Sequence, residues 1–325
     1  MRRTGHLFEQ VTDFGVLREA ARRAARGTRS LAAAEFLADL EANVLHLQRE
    51  LLERTYEPGP FTTFQLRDPK PRTISAAPFR DRVVHHAVCS AMEPTFERYA
   101  VFDSYACRPG KGNRAAMRRA QGHARHQPWF AKLDVQRFFE TLPHDVLLGL
   151  LRRRFKDRRL LALVGTVLAA GATKPGVGLP IGNLTSQHFA NFALGALDHH
   201  ALEVVRVGAW VRYMDDMLLF GPDRHQVRRS AHAVEAFLSD ELRLALRHDA
   251  TVVAPVRVGI PFLGFRVWPR QVRLDGARVR RLRRRLRALD RLPCEEERAR
   301  SAESLIAWTE QADTLHLRRA LLERG

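Results

Sequence analysis

The sequence predicts an α+β chain: an antiparallel sheet with helices packed on one face. Two observations carry this. From Trp129 onward the elements run strand, helix, hairpin, helix, strand, an order that belongs to mixed sheets. In addition, 45% of the 325 residues are hydrophobic, enough to bury a substantial core in one large lobe or in two to three smaller ones and to exclude a disordered chain.

The elements follow in order. Residues 1 to about 56 read as helix, because "FGVLREAARRAARG" and "AAAEFLADLEANVLHLQRELLE" repeat apolar positions at three and four, with Gly27 closing the first. "YEPGPFTTFQL" breaks that pattern, and "FTTFQLRDPKPRTISA" has the β-branched and aromatic content of two short strands joined at a basic tip carrying Arg67, Lys70 and Arg72. A helix through "RDRVVHHAVCSAME" is expected to end at Pro94. "WFAKLDVQRFF" reads as a strand ending in Asp134, and "LPHDVLLGLLRRRF" as a helix with Asp145 in its first turn. Past the Gly- and Pro-rich "TKPGVGLPIGNLTSQ" come a helix through "HFANFALGALDHHALEVV", a strand, turn and strand in "AWVRYMDDMLLFG", and an amphipathic helix in "DRHQVRRSAHAVEAFLSDEL". Beyond "IPFLGFRVWP" a helix is expected with Val279, Leu282, Leu286 and Leu289 on one stripe and arginines around the rest.

Charge narrows the partner. Lys plus Arg number 54 against 36 Asp plus Glu, a net of +18, which favours a polyanion, nucleic acid first. Ten arginines between Arg270 and Arg291 against two aspartates make the last helix a phosphate-tracking surface rather than a merely solvated one. Cys89, Cys107 and Cys294 are odd in number and form no CxxC pair; they read as buried thiols of a reducing cytosol rather than a disulfide scaffold or zinc module. The basic N-terminus leads into no apolar leader, and the run from Leu160 is too short to span a bilayer, so a soluble, intracellular protein is expected.

The chemistry concentrates in "VRYMDDMLLF", residues 211 to 220. Neighbours on a strand point to opposite faces, so Asp215 and Asp216 can share a target only at a tight turn. Two like charges near 4 Å repel by roughly 4 kcal/mol at an effective dielectric of 20, so keeping both ionised calls for a cation, and oxygen ligands suit magnesium. Asp134 ends another apolar strand. Three aspartates from neighbouring strands can hold two magnesium ions roughly 3.5–4 Å apart, an arrangement that activates a 3′-hydroxyl and steadies a pyrophosphate leaving group. The expected reaction is nucleotidyl transfer.

"YMDD" after an apolar strand resembles the active-site turn of reverse transcriptases, and the likeness continues in order from about Phe61 to Phe265. "KPRTISAAPFRDRVVHHAV" is similar to the first fingers block, "SYACRPGKGNRAAM" to the second, "KLDVQRFFETLPHDVLL" to the block with the first metal-binding aspartate, and "FLGF" to the block leading to the thumb. Where most reverse transcriptases carry QGxxxSP, this chain reads "IGNLTSQ" at 181 to 187. That variant, with "YACRPGKG" and "SLIAWTEQADT", resembles the reverse transcriptases of diversity-generating retroelements, within the group II intron-like lineage.

The resemblance implies a right-hand polymerase fold with a ferredoxin-like antiparallel palm sheet: an N-terminal helical extension at 1–60, fingers at 61–130, a palm at 131–268 with a fingers insertion at about 150–180, and a basic helical thumb at 269–325. It implies that Asp134, Asp215 and Asp216 are catalytic and, with the backbone carbonyl of Val135, hold two Mg2+ ions. Nucleotide binding falls to Arg72, which clamps the triphosphate with its planar fork of donors, to Lys70 and Arg67 as helpers, to Phe139 as the gate against a ribose 2′-hydroxyl, and to Ile181 and Gly182. Phe138 is the core neighbour of that gate. Arg80 and Arg82 contact template phosphate or pair with Asp81.

Primer and template fall to Tyr213, Met214, Gln187, Arg280 and Arg284, with Arg278 to Arg287 gripping either the duplex or structured RNA. Gly182, Asn183, Ser186 and Gln187 shape the loop floor. Ile181 stands where the family has glutamine; it packs but cannot hydrogen-bond the nucleotide, so low fidelity is expected. The adjacent pairs His85 with His86 and His199 with His200 diverge on helices and are not read as a zinc site.

The implied partners are template RNA with flanking structured RNA, the cDNA and its primer, dNTPs, and a small basic accessory protein, in the cytoplasm of a bacterial, phage or archaeal host cell. The implied activity is mutagenic retrohoming: copying RNA into cDNA with errors at adenines. Competing readings are a group II intron-like or abortive-infection and defence reverse transcriptase, and a non-catalytic RNA-binding scaffold, whose mark would be a lost aspartate.

Overall fold

The structure is a computed structural model that describes residues 3–28, 30–66, 72–289, 294–310 and 312–322. The chain divides into two compact units, the first formed by residues 1–101, 135–199 and 236–245, the second by 102–134, 200–235 and 246–325. Lys70 and Arg67 lie outside the described residues.

In the first unit the helix Phe14–Ala25 starts at Asp13, whose carboxylate accepts the Val16 N–H at 2.9 Å, a side-chain cap that satisfies one of the open donors of the first turn. Gly27 at φ 74 turns the chain after it. The helix buries Leu17, Ala20, Ala21 and Ala24 against the helix Phe79–Tyr99. The next expected helical run is two helices, Leu31–Ala38 and Leu40–Glu53, because Asp39 leaves helical geometry at φ −125 and ψ 53.

Pro94 does not end its helix, which continues to Tyr99. A proline inside a helix costs about 3 kcal/mol, but Phe96 and Tyr99 beyond it are 8% and 7% exposed, and each buried aromatic returns roughly 1.5–3 kcal/mol. The strands β1 (Thr62–Leu66) and β2 (Arg72–Ala76) pair antiparallel as expected. The helices His144–Arg154 and Leu184–His199 follow, the first with Asp145 in its opening turn.

The second unit is built on a four-stranded antiparallel sheet, in the order β4 (Ala209–Tyr213), β5 (Asp216–Gly221), β3 (Trp129–Asp134), β6 (Val252–Pro255). Phe130, Val211, Leu218 and Phe220 share one face with Ala116, Met117 and Ala120 of the helix Asn113–Ala124. The same core holds Ile260, Phe262, Phe265, Val267 and Leu274 from a three-stranded sheet of β7 (Ile260–Phe262), β8 (Phe265–Val267) and β9 (Val272–Leu274).

The other face carries Ala131, Leu133, Trp210, Met217 and Leu219, all fully buried. Both faces are therefore covered, not one. The reason is legible in β5, whose unbroken "MLLF" is the pattern of a strand buried on both sides. The outer edge of β4 is closed by residues 103–105: Arg212 N–H donates to the Asp103 carbonyl at 2.9 Å, and Tyr105 N–H donates to that of Arg212 at 2.9 Å.

The helix Gly276–Leu289 turns Leu282 into the core, with Val279, Leu286 and Leu289 partly buried beside it. Of the three free thiols only Cys89 is buried; Cys107 and Cys294 are exposed, against expectation. Cys107 sits at φ 51 in the loop before Arg108 and Pro109, and Cys294 precedes the helix Glu295–Thr309, both surface positions. Among the described residues no helix is long and apolar enough to cross a membrane.

Candidate active site

The carboxylates meet in the second unit. In the β3–β5 register Asp134 lies directly opposite Asp216, a position that sets the two Cα atoms about 4.5–5.5 Å apart. Tyr213 pairs with Asp216 on the other side, so the loop joining β4 to β5 is only Met214 and Asp215. Met214 takes φ 53 to close it, a left-handed conformation that costs a non-glycine residue roughly 1–2 kcal/mol. Arg212, 1% exposed, supports the turn: its guanidinium donates to the Met214 carbonyl at 3.3 Å and to Ser104 Oγ at 3.0 Å.

Asp216 is held from two sides. Lys132, on the same face of β3 as Asp134, brings Nζ to 3.4 Å from Oδ1. The Leu263 N–H donates to Oδ2 at 3.4 Å from the β7–β8 turn, where Leu263 and Gly264 have φ 51 and 77. Arg247 Nη2 stands 3.4 Å from Asp134 Oδ2. Burial pushes the Asp216 carboxyl up to about 6; Lys132 and the Leu263 N–H offset part of this, and the charges of Asp134 and Asp215 add to it.

Although Lys132 is within ion-pair distance, it is not aligned to donate, and Asp216 Oδ1 is buried without a hydrogen bond. An orphaned, nearly buried carboxylate oxygen beside two further aspartates is a hard-oxygen donor set that fits a divalent cation. Among the described residues no three Asp, Glu, His or Cys side chains are drawn together as a preformed metal cage; Asp216 and Asp134 lean on Lys132 and Arg247 instead.

The remaining expected residues fall in both units. Tyr213 and Met214 are half-buried beside the carboxylates, and Arg280 and Arg284 are exposed on the helix Gly276–Leu289. Val135, 2% exposed, follows Asp134 in the chain. In the first unit Phe138 is buried and Phe139 half-buried, their rings 5.6 Å apart. Arg72 is exposed at the start of β2, and Gln187 is exposed in the first turn of the helix Leu184–His199.

Ile181 is fixed to the same strand: its carbonyl accepts the Ser75 N–H at 2.8 Å. Gly182 follows at φ 112, where a Cβ would stand 2.7 Å from Ile74 Cγ2. Asn183 locks the junction, donating to the Ser75 carbonyl at 2.7 Å and accepting the Ala77 N–H at 3.2 Å.

Arg80 and Arg82 make their hydrogen bonds to groups other than Asp81. Arg80 pairs with Glu50, Arg82 donates to the Ala24 carbonyl at 2.6 Å, and Asp81 accepts instead from Tyr56 Oη and Gly59 N–H, each at 2.8 Å. His85 is buried, which pushes its imidazole down to about 4, and His199 Nε2 lies 2.9 Å from the Tyr99 carbonyl. Lys132, Arg212, Arg247 and the Leu263 N–H were not read from the sequence as part of the site. Lys132 left a trace there: a charge inside an apolar strand, two residues before Asp134 and so on its face.

Sheet order, aligned aspartates and the tight turn define a polymerase palm of the right-hand type. Solved structures agree on the fold: telomerase from Candida albicans, in complex with a fragment of telomeric RNA, superposes with TM-score 0.52 over 87% of this chain and 58% of its own at 12% identity. Apo telomerase from Candida tropicalis, truncated from its C-terminal domain, gives 0.53 over 70% and 59% at 10% identity.

The chain belongs to the reverse transcriptase (RNA-dependent DNA polymerase) family, whose model matches residues 66–267. Protein YkfC of Escherichia coli is 26% identical over 72% of this chain and 73% of its own length. The group II intron-encoded protein LtrA of Lactococcus lactis is 25% identical over 50% of this chain but 29% of its own length, and the putative COX1/OXI3 intron 2 protein of Saccharomyces cerevisiae is 20% identical over 60% and 30%. The chain thus spans under a third of those two intron proteins. Reverse transcriptases generally use divalent metal ions and bind template RNA and primer.

Proposed function

We propose that this chain is the RNA-directed DNA polymerase of a diversity-generating retroelement, copying a template RNA into cDNA with errors at adenines. The observation that carries the polymerase reading is Asp134 opposite Asp216, with Asp215 in the adjoining two-residue turn. The narrower assignment rests on "IGNLTSQ" at 181 to 187.

Asp134, Asp215 and Asp216, with the Val135 carbonyl, would hold two magnesium ions. When bound, magnesium makes a 3′-hydroxyl more acidic and neutralises the pyrophosphate leaving group. The chain's own residues do the rest. Arg72, with Lys70, clamps the triphosphate. Phe139 blocks a ribose 2′-hydroxyl. Ile181 and Gly182 form an apolar floor under the nascent pair that rewards correct geometry poorly. Tyr213, Met214 and Gln187 seat primer and template, and Arg280 and Arg284 track phosphates. Fingers, palm and thumb are assigned at the boundaries the sequence implies, and a small basic accessory protein is the expected protein partner.

The test is primer extension on an RNA template with magnesium. Asp134→Asn, Asp215→Asn and Asp216→Asn should each lower DNA synthesis by about 10³-fold or more, with circular dichroism unchanged; full synthesis by any of them refutes the assignment. A second reading, a group II intron-like enzyme, is favoured by the likeness to LtrA. Accurate copying of template adenines would move the chain to that reading.

A further inference from the structure

Lys132 has no part in the proposed polymerase chemistry, yet it is placed as closely as any residue in the site. The β3–β5 register puts Lys132, Asp134 and Asp216 on one face of the sheet. Nζ lies 3.4 Å from Asp216 Oδ1, and the two side chains are 16% and 17% exposed. An ammonium in an otherwise apolar strand is costly to bury unless a charge answers it. Here the answer is Coulombic only, because Oδ1 accepts no hydrogen bond.

A point charge on a flexible stem, facing the oxygen without a directed bond, is a neighbour that a stronger cation can displace. Asp134 has a cationic neighbour of its own in Arg247, but that guanidinium donates a hydrogen bond to Oδ2 at 3.4 Å, is 37% exposed and also lies 3.5 Å from Asp249. Lys132 is the more enclosed of the two.

We propose that Lys132 is a positioning residue, the resident counter-cation of Asp216, which neutralises and aims the carboxylate in the metal-free protein and yields that oxygen when a divalent ion binds. This rests on the reading that the three aspartates hold divalent ions. Two consequences are opposite in sign. Removing the Lys132 charge leaves Asp216 unanswered and weakens the metal-free fold, but it also removes the repulsion that an incoming divalent ion meets. Replacing a lysine whose charge did not face the ion site would leave ion binding unchanged.

The experiment is a Mn2+ titration of the purified full chain without nucleic acid at pH 8, following the free ion by electron paramagnetic resonance, with thermal unfolding in EDTA alongside. Asp134→Asn gives the background of ions bound elsewhere. Lys132→Met and Lys132→Gln should bind Mn2+ roughly three- to tenfold more tightly than the parent. Both should melt lower in EDTA, with the deficit recovered at saturating Mn2+. Lys132→Arg should keep the parent affinity. Glutamine, polar and nearly as long, carries the test if methionine prevents folding. Unchanged or weaker Mn2+ binding in the folded neutral variant overturns the proposal. Parent binding that Asp134→Asn leaves intact overturns instead the metal reading beneath it, so the two failures are distinguishable.

Discussion

Asp134 and Asp216 stand directly opposite each other across the β3–β5 pair. Like charges in that relation destabilise a sheet, and the mainly burial-driven rise of the Asp216 carboxyl to about 6 records part of the cost. A fold that keeps such a pair is less stable there than it could be, which is the usual relation between an active site and its scaffold.

That cost has a pH signature. The Asp216 carboxyl titrates near 6 in the fold and at about 3.9 when unfolded. Between those values the fold binds more protons than the unfolded chain, so stability falls as pH rises from about 4 to about 6, and the full penalty is present above that. Asp216→Asn should therefore make the metal-free protein more stable at pH 8 by at most about 2–3 kcal/mol, with part taken back by Lys132 losing its partner. The gain should vanish near pH 4. Urea unfolding across that range measures it, and a variant weaker than the parent at pH 8 contradicts it.

Gly182 is the second point of constraint. Its φ of 112, and Ile74 Cγ2 lying 2.7 Å from where a Cβ would stand, leave no room for a side chain. Gly182→Ala should cost about 1–3 kcal/mol and shift the β2 strand that bears Arg72. Denaturant unfolding should show the loss, and nucleotide KM should rise more than kcat falls.

Ile181 offers a substitution that leaves the backbone alone, because its hold on Ser75 runs through the carbonyl at 2.8 Å. Ile181→Gln, and Ile181→Asn beside it, should lower misincorporation opposite template adenine by supplying a hydrogen-bonding amide. Sequencing of the cDNA measures this. An unchanged error spectrum would clear the position of any part in fidelity.

Arg280 and Arg284 lie one turn apart and exposed, while Val279, Leu282, Leu286 and Leu289 anchor the same helix in the core. Reversing both charges should spare the fold and weaken nucleic-acid binding. The log–log salt slope should become shallower by about 0.7–0.9 for each phosphate that the protein no longer neutralises. Binding isotherms at several salt concentrations decide it; an unaltered slope would place the phosphate-binding residues elsewhere.

The sequence by itself determined the local matters: β3 ending in Asp134, the turn that carries Asp215, the apolar stripe of the helix Gly276–Leu289, and the identity of the three carboxylates. These follow from periodicity and turn chemistry, which act over a few residues. Tertiary structure alone decided what depends on partners far along the chain. The helix Phe79–Tyr99 runs past Pro94 because burial of Phe96 and Tyr99 outweighs the missing bond. The register of β3 against β5, across more than eighty residues of sequence, sets Asp134 against Asp216 and brings Lys132 beside them. Arg212, Arg247 and the Leu263 N–H join the site in the same way, since burial or an ion pair exists only once the folded chain has supplied the other side of it.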